Sequence, residues 1–181
     1  MPFGAQTMVE ASLRNLTSIG FGETIVVIGS DAERMSQCLG KWPVKLVENS
    51  VFMKGMATSI ACGVKAASPD ANGYLIALGD MPMIDHRTIK ALADTFSKHK
   101  GMCIAAPFFE GRRGHPVLFG RIFREALMAL EGDRGAASIL ERHEDCLLRV
   151  NVPDCGILKD FDTRDALAPH NLAFGKDEAP G

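Results

Sequence analysis

The stretch that most constrains this 181-residue chain is residues 74–84, Tyr-Leu-Ile-Ala-Leu-Gly-Asp-Met-Pro-Met-Ile. Its apolar opening, 74–78, suits a buried strand and is far too short to cross a membrane. Gly79 ends the run and Pro82 prevents the strand from continuing. Asp80 therefore stands where the chain leaves the sheet, the end at which open α/β sheets bind ligands. A lone carboxylate there, facing phosphate oxygens, is a natural magnesium ligand, because magnesium takes one or two carboxylates plus substrate phosphates. The other use of Asp80 is to cap the next helix, but Asp85 sits better for that purpose.

Strand-like and helix-like segments alternate on both sides of this stretch. Thr7 and Glu10 form a capping box for a helix with Val9, Leu13 and Leu16 on one face and Gly20 at its end. Residues 24–28 are β-branched and read as a buried parallel strand. Ser30 with Glu33 repeats the capping pattern for a short helix, and 44–47 is a weaker strand. Helices follow over 56–67 and 86–99, with a strand over 102–106 and an antiparallel return over 115–119. Helices over 122–130 and 136–143, a strand over 147–152 and a short helix after Asp162 complete the pattern. Residues 1–6 read as a loop. The pattern predicts an α/β fold with a mostly parallel sheet and a late antiparallel insertion. One domain over 1–168 is expected, with a disordered polar tail over 169–181.

Composition narrows the function classes. A formal net charge of −2 gives no basis for broad binding to nucleic acid or an anionic membrane. The five cysteines are odd in number and scattered without a CxxC pair, which points to reduced thiols and a cytoplasmic location.

Four further clusters carry chemistry. Gly55-Met56-Ala57-Thr58-Ser59 opens a helix whose free N–H groups can meet a phosphate, ribose or base; close packing is its plainer use. Gly111-Arg112-Arg113-Gly114-His115-Pro116 puts two guanidinium forks and an imidazole on a tight turn, suited to phosphate or carboxylate or simply to a solvated hairpin tip. Gly132-Asp133-Arg134-Gly135 is a second charged turn, whose Asp also fits a helix cap. In Asp160-Phe161-Asp162-Thr163 either carboxylate could join Asp80 on a metal, and Asp162 also fits an N-cap.

Taken in this order, the five clusters resemble the MobA-like nucleotidyltransferases, most closely the molybdenum-cofactor cytidylyltransferase branch. The likeness runs from residue 2 to about 167. It implies a Rossmann-like three-layer α/β/α fold and magnesium-dependent transfer of a nucleoside monophosphate, CMP favoured, from a triphosphate to molybdopterin. Pyrophosphate is released. By the same likeness Asp80 and Asp162 hold the magnesium, and Gly4, Gln6, Gly55, Met56, Ser59 and Gly79 lie against the nucleotide. Asp80, Arg112, Arg113 and His115 form the catalytic set, while Gly114, Asp133 and Arg134 face the pterin side. Implied partners are CTP, molybdopterin and a receiving molybdoenzyme, with the chain itself a monomer. Two alternatives stand beside this reading: a non-catalytic molybdopterin-binding module, and transfer to a sugar phosphate or methylerythritol phosphate.

The chain departs from the family at its start. The family's opening strand and Leu-Ala-Ala-Gly-x-x-x-Arg loop are missing, and Gln6 stands where a phosphate-binding lysine is expected. Three charge-assisted contacts at ~1.5–3 kcal/mol each total about 5–9 kcal/mol, roughly three to six powers of ten in binding or rate. The missing strand belongs between those at 24–28 and 74–78. Its loss is expected to leave both with an unpaired edge, or to force them together. We therefore expect the natural reading frame to continue upstream of Met1.

Overall fold

The computed structural model describes residues 2–3 and 6–160, with side chains from residue 6 onward. Strands β1 (Pro2–Phe3) and β2 (Gln6–Thr7) pair antiparallel where the sequence predicts a loop; two-residue strands are too short to show alternation. Thr7 caps α1 (Met8–Thr17) through a complete capping box, with Thr7 N–H donating to the Glu10 carboxylate at 2.8 Å. β3 (Ile25–Ile28) leads to α2 (Ala32–Leu39). That helix starts from Asp31 at φ 54° with no side-chain cap, so the expected Ser30–Glu33 box is not used. A short polar residue such as Asp tolerates this left-handed backbone. β4 (Lys45–Glu48), a 3₁₀ turn (Phe52–Lys54) and α3 (Met56–Ala66) come next.

β5 (Gly73–Ile76) ends earlier than expected, so Ala77 and Leu78 already belong to the exit loop. α4 (His86–Ser97) is capped as predicted by Asp85, whose side chain accepts from Arg87 N. β6 (Ile104–Phe109), β7 (Arg112–Arg113) and β8 (Val117–Gly120) follow. Then come a 3₁₀ turn (Arg121–Phe123), α5 (Arg124–Met128), α6 (Ala137–Arg142), β9 (Leu147–Asn151) and a 3₁₀ turn over Cys155–Leu158.

The antiparallel return is not a peripheral insertion. β8 lies between β5 and β6, antiparallel to both, and β9 pairs parallel with β6. β5, β6 and β9 thus run one way, with β8 and the short β7 against them. Alternation sorts the layers. Ile104, Ala106 and Phe108 of β6 and Val117 and Phe119 of β8 face α3, α5 and α6. Ala105 and Leu118 point the other way, onto Leu92 and Phe96 of α4. α1 joins α4 on this face, where Leu16 and Ile19 pack with Met81, Ile84 and Ile89. The result is the expected three-layer α/β/α arrangement.

β3 and β4 stand apart as a separate parallel pair. Among the described residues, β3 pairs only with β4 and β5 only with β8. Each therefore keeps one edge without a strand, as the sequence leads one to expect. α3 touches both: its Gly63 lies against Val27 of β3, and its Val64 packs with Tyr74 of β5. Among the described residues, no helix is long and apolar enough to cross a membrane.

Candidate active site

A cleft with about 640 Å³ of empty space, part of it open solvent, lies beyond the C-terminal end of β5. Ile76, Leu78, Val117 and Phe119 contribute an apolar floor, and Ile60 and Leu140 add apolar walls. Around them stand Met56, Arg113, Gly114, His115, Arg134 and Gly135. Three sequence clusters that are far apart in the chain therefore meet at one site.

Gly55 explains how two of them meet. It holds φ 112° as the N-cap of α3, a backbone that favours glycine. A side chain there would collide with Gly132 O and the Asp133 carboxylate, so the charged turn seats directly on the helix start. Ala57 N donates to Gly132 O at 3.0 Å. One free donor of the helix start is thereby consumed by the turn and is no longer available to a ligand. Ser59 is likewise engaged. Asn49, buried at 3% exposure, donates to Ser59 Oγ at 3.0 Å and to Thr58 Oγ1 at 2.9 Å.

The Asp80 loop is held from the other face by α1. Ser12 Oγ donates to Gly79 O at 3.2 Å, and Asn15 Nδ2 donates to Ile84 O at 2.9 Å. Asp80 is half-buried there. Gly79 is exposed and, like Asp80, is not part of the cleft lining.

His115 is the point where charges of both signs converge. Burial is the largest influence and holds its imidazole below the ordinary value; Arg113 pushes the same way, while Asp80 and Asp160 oppose. Its Nδ1 is buried without a hydrogen-bond partner among the described residues. Gly114 N donates to Pro107 O at 2.9 Å and His115 N to Ile157 O at 3.0 Å, which fixes the turn.

The remaining predicted residues fall into place unevenly. Arg112 and Arg113 are both exposed; Arg113 borders the cleft and Arg112 does not. Asp133 is also exposed and lies outside the lining; its carboxylate stands beside Gly55. Arg134 lines the cleft and pairs with Glu141 at 2.5 Å. The Gln6 Oε1 is buried without a hydrogen-bond partner among the described residues. Gly4 and Asp162 lie outside the described residues, as do the short final helix and the tail. Sequence reasoning missed Asn49, although its place just after β4 is the usual strand-end position for a ligand-side residue.

Among the described residues, no three His, Cys, Asp or Glu side chains group as a metal site. A magnesium site of the phosphate-dependent kind needs fewer protein ligands than that. Asp80, half-buried in the loop after β5, and Asp160 are carboxylates of the kind such an ion takes.

Comparisons with known proteins agree with the fold. Nicotine blue oxidoreductase of Paenarthrobacter nicotinovorans is 26% identical over 171 residues, covering 90% of this chain and 82% of that protein. The crystal structure of Rv0371c from Mycobacterium tuberculosis H37Rv superposes with a TM-score of 0.83 at 23% identity, covering 95% of this chain and 87% of that one. Rv0371c in complex with manganese gives 0.80 at 22% identity over 95% and 90% of the two chains. These two likenesses establish the Rossmann-like nucleotidyltransferase fold. The family model of the MobA-like NTP transferase domain matches residues 1–146, most of the chain, and the protein belongs to that family.

Proposed function

We propose that this nucleotidyltransferase moves CMP from CTP to the phosphate of molybdopterin, with magnesium as its metal. The observation that carries the reading is the convergence of Arg113, His115, Met56 and Arg134 on one cleft beside the Asp80 loop. In the transfer, an acceptor phosphate oxygen bonds to the α-phosphorus as the bond to the departing pyrophosphate breaks. Such chemistry needs positioning and charge neutralisation more than a covalent protein intermediate. Asp80 would hold the ion with Asp160 or Asp162, and the ion would neutralise charge on the phosphates.

Gly79 and the α3 start, from Gly55 through Met56 to Ser59, would lie against the nucleotide. Arg113 and Arg134 offer guanidinium forks to the anionic groups. Gly114, Arg112 and Asp133 would border the acceptor side. His115 offers its buried Nδ1 to the acceptor. A cytoplasmic location and hand-over to a molybdoenzyme belong to the same proposal.

Pyrophosphate release with CTP or GTP, Mg²⁺ and molybdopterin tests it. CTP is expected to be used in preference to GTP, and Asp80→Ala to lower turnover by about a hundredfold or more. Turnover only with a sugar phosphate or methylerythritol phosphate would discard the molybdopterin assignment and keep the transferase. Gln6 favours a second reading, because a neutral side chain there lacks the charge for a triphosphate. Molybdopterin binding without any pyrophosphate release would select that non-catalytic module.

A further inference from the structure

We propose that Asp154 is a positioning residue that fixes the Asp80 loop against the segment carrying Asp160. Its carboxylate bridges two stretches that are remote in sequence. Oδ2 accepts from Asp85 N at 2.9 Å and from Thr88 Oγ1 at 2.7 Å, partners 69 and 66 residues away. Oδ1 accepts from Gly156 N at 2.9 Å. Thr88 is buried at 3% exposure, so its hydroxyl has little access to water as an alternative partner.

Packing continues the bridge into the site. Gly156 is buried against the Met83 carbonyl, and any side chain there would collide with it. The next residue, Ile157, accepts from His115 N at 3.0 Å and packs on Gly114. The 3₁₀ turn Cys155–Leu158 is thus wedged between the exit of the Asp80 loop and the histidine turn. Asp80 lies just upstream of one arm of Asp154, and Asp160 just downstream of the other. Moving the bridge would change the separation of these two carboxylates. A displacement of about 1 Å at a site of this kind costs about a hundredfold in rate.

The kinetic part of this inference rests on the transferase reading; its geometric part does not. Thr88→Val keeps the buried volume and removes one donor. It is expected to lower kcat about tenfold with the nucleotide KM within about twofold, the size of one hydrogen bond to a charged group. Thr88→Ser, which keeps the hydroxyl, should return to within about twofold of the unaltered chain. Asp154→Asn is expected to speed amide exchange in both 81–88 and 154–159 by about tenfold or more, leaving β6 unchanged.

Wild-type kcat in folded Thr88→Val, or failure of Thr88→Ser to restore it, overturns the positioning role. Faster exchange confined to 154–159 overturns the bridge itself. If the unaltered chain releases no pyrophosphate, the transferase reading fails, and the exchange pattern alone then decides whether Asp154 joins the two segments.

Discussion

β3 and β6 are both short and apolar, yet they live in different surroundings. β6 reads Ile-Ala-Ala-Pro-Phe-Phe and is buried at its first five positions. β3 reads Ile-Val-Val-Ile and is buried only at Ile28. Composition does not separate them, since β3 is the more β-branched of the two. Partners do. β6 is paired along both edges, by β8 and β7 on one side and β9 on the other, and is covered on both faces. Among the described residues β3 has β4 on one edge and no strand on the other. A strand's burial is thus set by how many of its four sides are occupied. The same apolar sequence contributes less where one side is open.

The largest test compares side-chain truncation in the two regions. Phe119, fully buried at the centre of the sheet, should cost about 3–5 kcal/mol when changed to Ala. Val27→Ala on the half-buried β3 should cost about 1 kcal/mol. Denaturant unfolding measures both. Amide exchange should follow the same order, with β3 exchanging ahead of β6. Equal losses for the two substitutions would break the comparison and place β3 in a core as complete as that of β6.

Two glycines sharpen it at about half that size. At Gly120 on β8, a Cβ would press on Gly101 and lie 2.9 Å from Cys103 O, all backbone that cannot yield cheaply. Gly120→Ala should therefore cost about 1–3 kcal/mol. At Gly63 in α3, the nearest atom is the Val27 side chain at 3.0 Å. That neighbour lies in the loosely partnered region and can shift by the few tenths of an ångström required. Because Ala is better than Gly in a helix by about 1 kcal/mol, Gly63→Ala should be neutral or slightly stabilising in a thermal melt. A loss as large as that of Gly120→Ala would show β3 to be as tightly held as β8.

Much of this organisation was legible in the sequence, for reasons that can be named. The capping box at Thr7 and Glu10 and the cap at Asp85 are local signals with local causes, whereas the end of β5 falls two residues before the expected break at 78. Open edges on β3 and β5 were legible only through the resemblance, because nothing in Ile-Val-Val-Ile records which strand is absent from its side. The position of β8 at the sheet centre was not legible. A four-residue antiparallel strand carries the same alternation at an edge as in the middle.

In the site, Arg113, His115, Met56 and Arg134 were singled out through Gly-bounded turns and a helix start, with their roles supplied by the resemblance. Arg112 and Arg113 were expected to act together, and only Arg113 borders the cleft, because neighbouring positions on one turn carry the same sequence signal. Asp154 gave no signal at all. Its three hydrogen bonds reach two segments, and only the folded chain brings Thr88 and Gly156 to the same carboxylate.

The smallest effect is electrostatic and separates the two regions by pH. Hydrogen bonds from the Arg87 side chain and backbone, ahead of its charge, lower the Asp85 carboxyl from 3.8 to about 2. The folded pKa lies below the unfolded one, so as pH falls the unfolded chain takes up the proton first. The stabilisation is therefore complete above about pH 4 and is lost as pH falls toward 2. Arg87 is largely exposed, so solvent screening reduces the contribution to about 1 kcal/mol. Asp85→Asn retains an oxygen to cap α4 and loses the ion pair. Its stability should fall about 1 kcal/mol below the unaltered chain at pH 7, with the difference vanishing near pH 2. Because α4 covers β6 and β8 and Asp85 belongs to that cover, acid should speed exchange in α4 and the strands beneath it. An acid response of Asp85→Asn concentrated in β3 and β4 would mean that the two regions unfold as one, and the distinction drawn from their partners would not survive.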